Sequence, residues 1–103
     1  MNEIEKLGKE ELLCQLAEEA AELSQAALKL RRAITGENPT PKTYDECFDA
    51  LIEEIADVKL VQLHYLDLEP DRFYGIADIM KAKEERWIKR LKEKSDAKTA
   101  KDA

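Results

Sequence analysis

Histidine occurs once in this chain of 103 residues, cysteine twice, tryptophan once, and glycine and proline three times each. Cys14 and Cys47 lack metal-ligand spacing, which points to a reduced, cytoplasmic protein with two small core or near-surface thiols. No run of about 18 apolar residues is present, so neither a membrane span nor a secretory leader is expected. Basic charge is also short. Seventeen Lys and Arg against 23 Asp and Glu give a net charge of −6, which argues against a nucleic-acid or anionic-membrane surface. A small, highly charged substrate that brings its own metal is compatible with that balance. Strand periodicity, internal repeats and a second domain are all missing.

What the chain does contain is helix. Apolar residues recur every three and four positions from about Lys9 to Ile34, without proline or interior glycine. Gly36, Pro39 and Pro41 stop that helix within the stretch Thr35 to Pro41. Thr43 with Glu46 is a capping box for a second helix running to about Leu66. Glu69, Pro70 and Asp71 break the chain again, and Phe73, Ile76, Ala77, Met80, Trp87, Ile88 and Leu91 lie on a stripe predicted to be the core face of a third helix ending near Glu93. The expected fold is therefore all-α: a small bundle of about three main helices forming one domain over residues 1–94, with a disordered tail over 95–103 that has no apolar anchor. A chain of this size buries only about 60 to 70 percent of its unfolded surface, so a dimer or dimer of dimers is expected.

Two of these helices carry acids where acids are costly. Glu54 falls in the middle of the arc formed by Ala50, Leu51, Val58, Val61 and Tyr65, with Asp57 at its edge and Glu53 pointing away. Glu19 and Glu22 lie beside Gln15, Gln25 and Ala26, next to the inward stripe of Leu12, Leu16, Leu23 and Leu30. An unpartnered buried carboxylate costs several kcal/mol, and two of them about 4 Å apart repel by roughly 4 kcal/mol at an intermediate dielectric. Packing the two helices together would converge four carboxylates, and such a group needs a cation. Oxygen ligands without histidine or thiolate suit Mg²⁺, or Mn²⁺, better than zinc or copper. Magnesium commonly accompanies phosphate.

Glu18-Glu19-x-x-Glu22 followed by Glu54-x-x-Asp57, with flanking Leu16, Leu23 and Val58, resembles the signature of the MazG-like all-α nucleoside triphosphate pyrophosphohydrolases. The resemblance covers about residues 9 to 66. It implies metal-dependent hydrolysis of a nucleoside triphosphate, including deoxy or non-standard ones, to the monophosphate and pyrophosphate. It also implies that Glu19, Glu22, Glu54 and Asp57 hold Mg²⁺, that Glu18 and Glu19 take catalytic roles in orienting and activating water, and that the subunits form a homodimer or homotetramer. Gln15 is a candidate contact to the substrate, and Lys83 and Arg86 on the third helix are candidates for the phosphates. The 31 residues between Glu22 and Glu54 make a long spacer for the family, and the asparagine usual on the third helix is missing.

His64 is rotated off the Glu54 face, and a surface or internally satisfied histidine is expected there. A di-iron bundle would need Glu-x-x-His on two helices, and neither motif has it. The alternative reading is a non-catalytic helical nucleotide-binding or protein-interaction module, in which Leu16, Leu23 and Leu30 at seven-residue spacing form a seam.

Overall fold

The computed structural model describes residues 2–37 and 41–102. All regular structure among them is helical: α1 (Lys9–Thr35), α2 (Tyr44–Leu68) and α3 (Ile76–Asp102), with short 3-10 turns at Glu5–Leu7 and Pro70–Phe73. The expected linker residues Asn38, Pro39 and Thr40, and Ala103 at the end of the tail, lie outside the described residues.

Local chemistry sets the helix ends. Gly36 closes α1 in the left-handed region at φ 75°, where a side chain would be strained, and its N–H donates to Arg32 O. Thr43 opens α2 with the expected capping box: its Oγ1 accepts from Glu46 N at 3.2 Å, while its own N–H donates to Glu46 Oε1 at 3.0 Å. At the far end, Pro70 forces the preceding Glu69 out of helical geometry, and the chain divides there into two units, Met1–Glu69 and Pro70–Ala103.

In the first unit α1 and α2 form an antiparallel hairpin. Lys9, at the start of α1, is paired with Glu69, just past the end of α2, at 2.9 Å, and Tyr65 Oη donates to the other oxygen of Glu69 at 2.8 Å. Leu12, Ala26, Leu30, Cys47 and Val61 are the buried apolar residues between them, and Leu16 and Leu23 are half-buried along the same stripe. Cys47 is thus a core thiol and Cys14 an exposed one, as the sequence implies.

The second unit departs from expectation twice. Met80 is 64% exposed and Trp87 62%, and Ile88 and Leu91 are exposed as well, so the second unit by itself leaves their stripe uncovered. Periodicity reports that a helix has an apolar side, and one helix cannot cover its own. The tail is also not disordered through residue 102, since α3 continues to Asp102. Residues 94–102 contain neither glycine nor proline and are rich in Lys and Ala, both good helix formers.

Candidate metal centre

Glu19 and Glu22 lie one turn apart on α1, and Glu54 and Asp57 one turn apart on α2, so antiparallel packing brings both pairs to the same level of the hairpin. Carboxylate oxygens of Glu19, Glu54 and Asp57 lie within 4.8 Å of one another. Glu22 completes the group electrostatically: the charge of Glu19, then that of Glu54, pushes its carboxyl above the ordinary value. Glu19 and Glu54 are half-buried, while Glu22 and Asp57 reach the surface.

Two oxygens in this group accept no hydrogen bond, and Glu22, which is within reach of Glu19 and Glu54, can donate to them only while protonated. Gln15 Nε2 donates to Glu19 Oε1 at 2.8 Å, which orients the carboxylate and leaves its other oxygen, Oε2, buried without a partner. Glu54 Oε2 is likewise buried and unpartnered. A buried acceptor without a hydrogen bond costs about 1–3 kcal/mol, and more when charged. An all-oxygen donor set from two helices, with lone pairs left over, fits a hard divalent cation such as Mg²⁺ or Mn²⁺. Gln15 is in that case a positioning residue for a ligand.

A second cluster of ligand-type groups forms at the far end of the hairpin from Glu5, His64 and Asp67, also within 4.8 Å of one another. Glu5 is only 9% exposed, yet it is satisfied: its Oε2 accepts from Asn2 N at 3.0 Å, and Asn2 Oδ1 accepts from Glu5 N at 3.0 Å. The bond from the Asn2 backbone, helped by Asp67 and His64, holds its carboxyl below the ordinary value. His64 is half-buried, and its Nδ1 lies 3.5 Å from Asn2 Nδ2, at the limit of a hydrogen bond.

Space opens on both sides of the quartet. On one side a cleft of about 310 Å³ is lined by Glu22, Glu53, Glu54, Lys29 and Lys42 over a floor that includes Ala26 and Cys47. On the other a pocket of about 230 Å³ is mostly apolar, with Leu12, Leu60 and Val61 beside Glu19, Asp57, Gln15 and His64. Glu53, expected to point away, lines the same cleft as Glu54.

Of the remaining sequence candidates, Glu18 is exposed and is not among the clustered acids; its Oε1 lies 3.9 Å from Cys14 Sγ on the same helix. Lys83 and Arg86 belong to the second unit, both exposed on α3 along an open groove with Trp87 and Leu91. Sequence reasoning missed Lys29, Lys42 and Glu5. Lys29 was findable, since seven residues after Glu22 is two turns along the same face. Asn2-x-x-Glu5 has the spacing of a capping box. Lys42 carries no local signal at all.

No family model, curated protein or solved structure matches the chain. Among the described residues, no helix is long and apolar enough to cross a membrane.

Proposed function

We propose that the α1–α2 unit is a metal-dependent nucleoside triphosphate pyrophosphohydrolase of the MazG-like kind, releasing pyrophosphate and a nucleoside monophosphate. The observation that carries this reading is the pair of buried, unpartnered oxygens, Glu19 Oε2 and Glu54 Oε2, within a cluster that includes Asp57. The two flanking spaces add support, because a nucleotide has a highly charged end and a far less polar one.

Glu19, Glu22, Glu54 and Asp57 hold the cation, and Mg²⁺ bound there supplies charge neutralisation for the phosphates and acidity to water. Gln15 keeps Glu19 turned toward the site. The hydrolysis adds one water across the anhydride: its oxygen bonds to phosphorus, the bond to the pyrophosphate oxygen breaks, and a carboxylate of the quartet accepts the proton. Glu18 is exposed on α1 outside the cluster, and its role is confined to orienting the incoming water. The exposed stripe of Met80, Trp87, Ile88 and Leu91 supports assembly as a homodimer or dimer of dimers.

The test is pyrophosphate release from ribo- and deoxynucleoside triphosphates with Mg²⁺, with Mn²⁺ and with chelator. Metal-dependent release from at least one nucleotide is expected. A folded protein that gains thermal stability from Mg²⁺ yet releases nothing would instead favour the non-catalytic nucleotide-binding reading.

A further inference from the structure

The 3-10 turn ahead of α1 is packed with its polarity reversed. In Ile4-Glu5-Lys6-Leu7 the acid is 9% exposed, while the two apolar residues are 40% and 59% exposed, so apolar burial does little to hold the turn down. Its hydrogen bonds close on themselves. Besides the reciprocal pair of Asn2 and Glu5, Lys6 N donates to Asn2 O at 3.2 Å, Leu7 N to Ile4 O at 3.1 Å and Gly8 N to Glu5 O at 3.1 Å. Among the described residues one hydrogen bond crosses from this turn to α2, between Asn2 Nδ2 and His64 Nδ1 at the limiting distance of 3.5 Å, and Glu5 itself sits against His64 and Asp67. The turn is thus a small body, ordered within and lightly fastened to the hairpin.

Gly8 joins this body to α1 at φ 86°, ψ 166°, a backbone conformation essentially confined to glycine, and nothing lies within 4 Å of where a Cβ would stand. What the turn covers is the apolar pocket beside the acids: Ile4 and Leu7 form one wall, Leu12, Leu60 and Val61 the others, and the space reaches Glu19 and Asp57. Its volume of about 230 Å³ is smaller than the roughly 300 Å³ at which small-molecule sites begin. We propose that residues 2–7 are a hinged lid on this pocket, swinging as a unit about Gly8 when Glu5 leaves His64 and Asp67, and that a small ligand reaches the pocket side of the carboxylates only with the lid raised. Hinges of this kind are a few residues that absorb the whole change in backbone angles, and segments with few outside ties open at the lowest free energy. Shut, the lid keeps solvent from the pocket face of Glu19 and Asp57; raised, it enlarges the space by removing the Ile4 and Leu7 wall. The lid is a property of the α1–α2 unit and does not depend on which reaction the carboxylates perform.

The experiment is thiol labelling of the 103-residue chain under native conditions. Val61→Cys puts a thiol on the pocket wall beneath the lid, and the native Cys47, buried near the start of α2, is a reference in the same molecule. Both sites are pulsed with iodoacetamide and read separately by peptide mass spectrometry, because the labelling rate of a buried thiol reports how often its cover opens. Adding Gly8→Ala, which strains the shut hinge without touching any neighbour, should speed labelling at position 61 about tenfold or more and leave Cys47 unchanged. Glu5→Ala, which removes the fastening to His64 and Asp67 and leaves the hinge alone, should do the same. An unchanged rate at position 61 in both variants overturns the lid. Acceleration of Cys47 in step with position 61 also overturns it, since the hairpin as a whole would then be opening. No nucleotide enters these readings, so failure of the lid and failure of the pyrophosphohydrolase reading are distinguishable.

Discussion

The hairpin carries two groups of titratable side chains that resemble each other in a list of residues and differ in how their oxygens are satisfied. At one end Glu5, His64 and Asp67 converge, and Glu5 is answered from within the chain by the Asn2 backbone. At the level of Glu19, Glu54 and Asp57 the chain supplies one bond, from Gln15, and leaves two buried oxygens open. The first group closes on the N-terminal turn, and the second leaves hydrogen-bonding capacity unmet. Proximity of ligand atoms is common to both; the unmet hydrogen-bonding capacity belongs to one.

The largest effect that would break this contrast is at Glu54. Glu54→Gln should lower pyrophosphate release by about 10²–10³-fold or more and abolish stabilisation by Mg²⁺, while the metal-free variant melts at or above the wild-type temperature because one repulsive charge is gone. A variant with wild-type turnover would sink the assignment. Next in size is Gln15→Leu. Losing the bond that orients Glu19 should weaken Mg²⁺ binding by about 10-fold, read by calorimetry, with little change in the fold.

Acid should separate the two groups by sign. Glu22 is raised above its ordinary 4.5 by Glu19 and Glu54, so the folded metal-free chain retains a proton that the unfolded chain releases. Its contribution is complete below 4.5 and is lost as pH rises through the raised value. Glu5 is lowered, chiefly by the Asn2 backbone bond, so its contribution is complete above 4.5 and is lost as pH falls through the lowered value. In chelator, melting temperature should therefore rise as pH is lowered toward 4.5, and Glu22→Gln should flatten that rise; below 4.5 the trend should reverse, and Glu5→Gln should remove its own share of the fall. The smallest effect is Glu5→Gln near neutral pH, a drop of about 5 °C with unchanged Mg²⁺ affinity. Altered metal binding there would mean that the two groups are not independent.

The hairpin and its acids were legible because their signals are local. Helical periodicity, Gly36, the Thr43–Glu46 box and Pro70 all act within a few residues, and two acids one turn apart remain on one face wherever the helix goes. Glu19, Glu22, Glu54 and Asp57 could thus be named before their meeting was visible. Lys42 could not, because only the packing of α1 on α2 makes it a neighbour of Glu22. Lys83 and Arg86 were named from the family analogy and from their place along one edge of the third helix's apolar stripe, neither of which says what they touch. Trp87 and Met80 show the converse limit: an apolar stripe states a need for cover without naming what covers it. The tail misled for a related reason, since the absence of an apolar anchor bears on tertiary packing, whereas Lys- and Ala-rich sequence without glycine or proline is sufficient for helix.

The connection between α1 and α2 is sealed at both ends by bonds that its own residues make: Gly36 N to Arg32 O on one side, and the reciprocal pair of Thr43 and Glu46 on the other. Neither seal depends on how many residues lie between. Insertions or deletions there change the length of the connection without rotating either helix, whereas one residue added inside a helix between an acid and its end cap would turn that acid by about 100° relative to the capped end. Evolution, or an engineer grafting a sensor loop or an affinity tag, can therefore lengthen the chain at this point and leave the carboxylates facing each other.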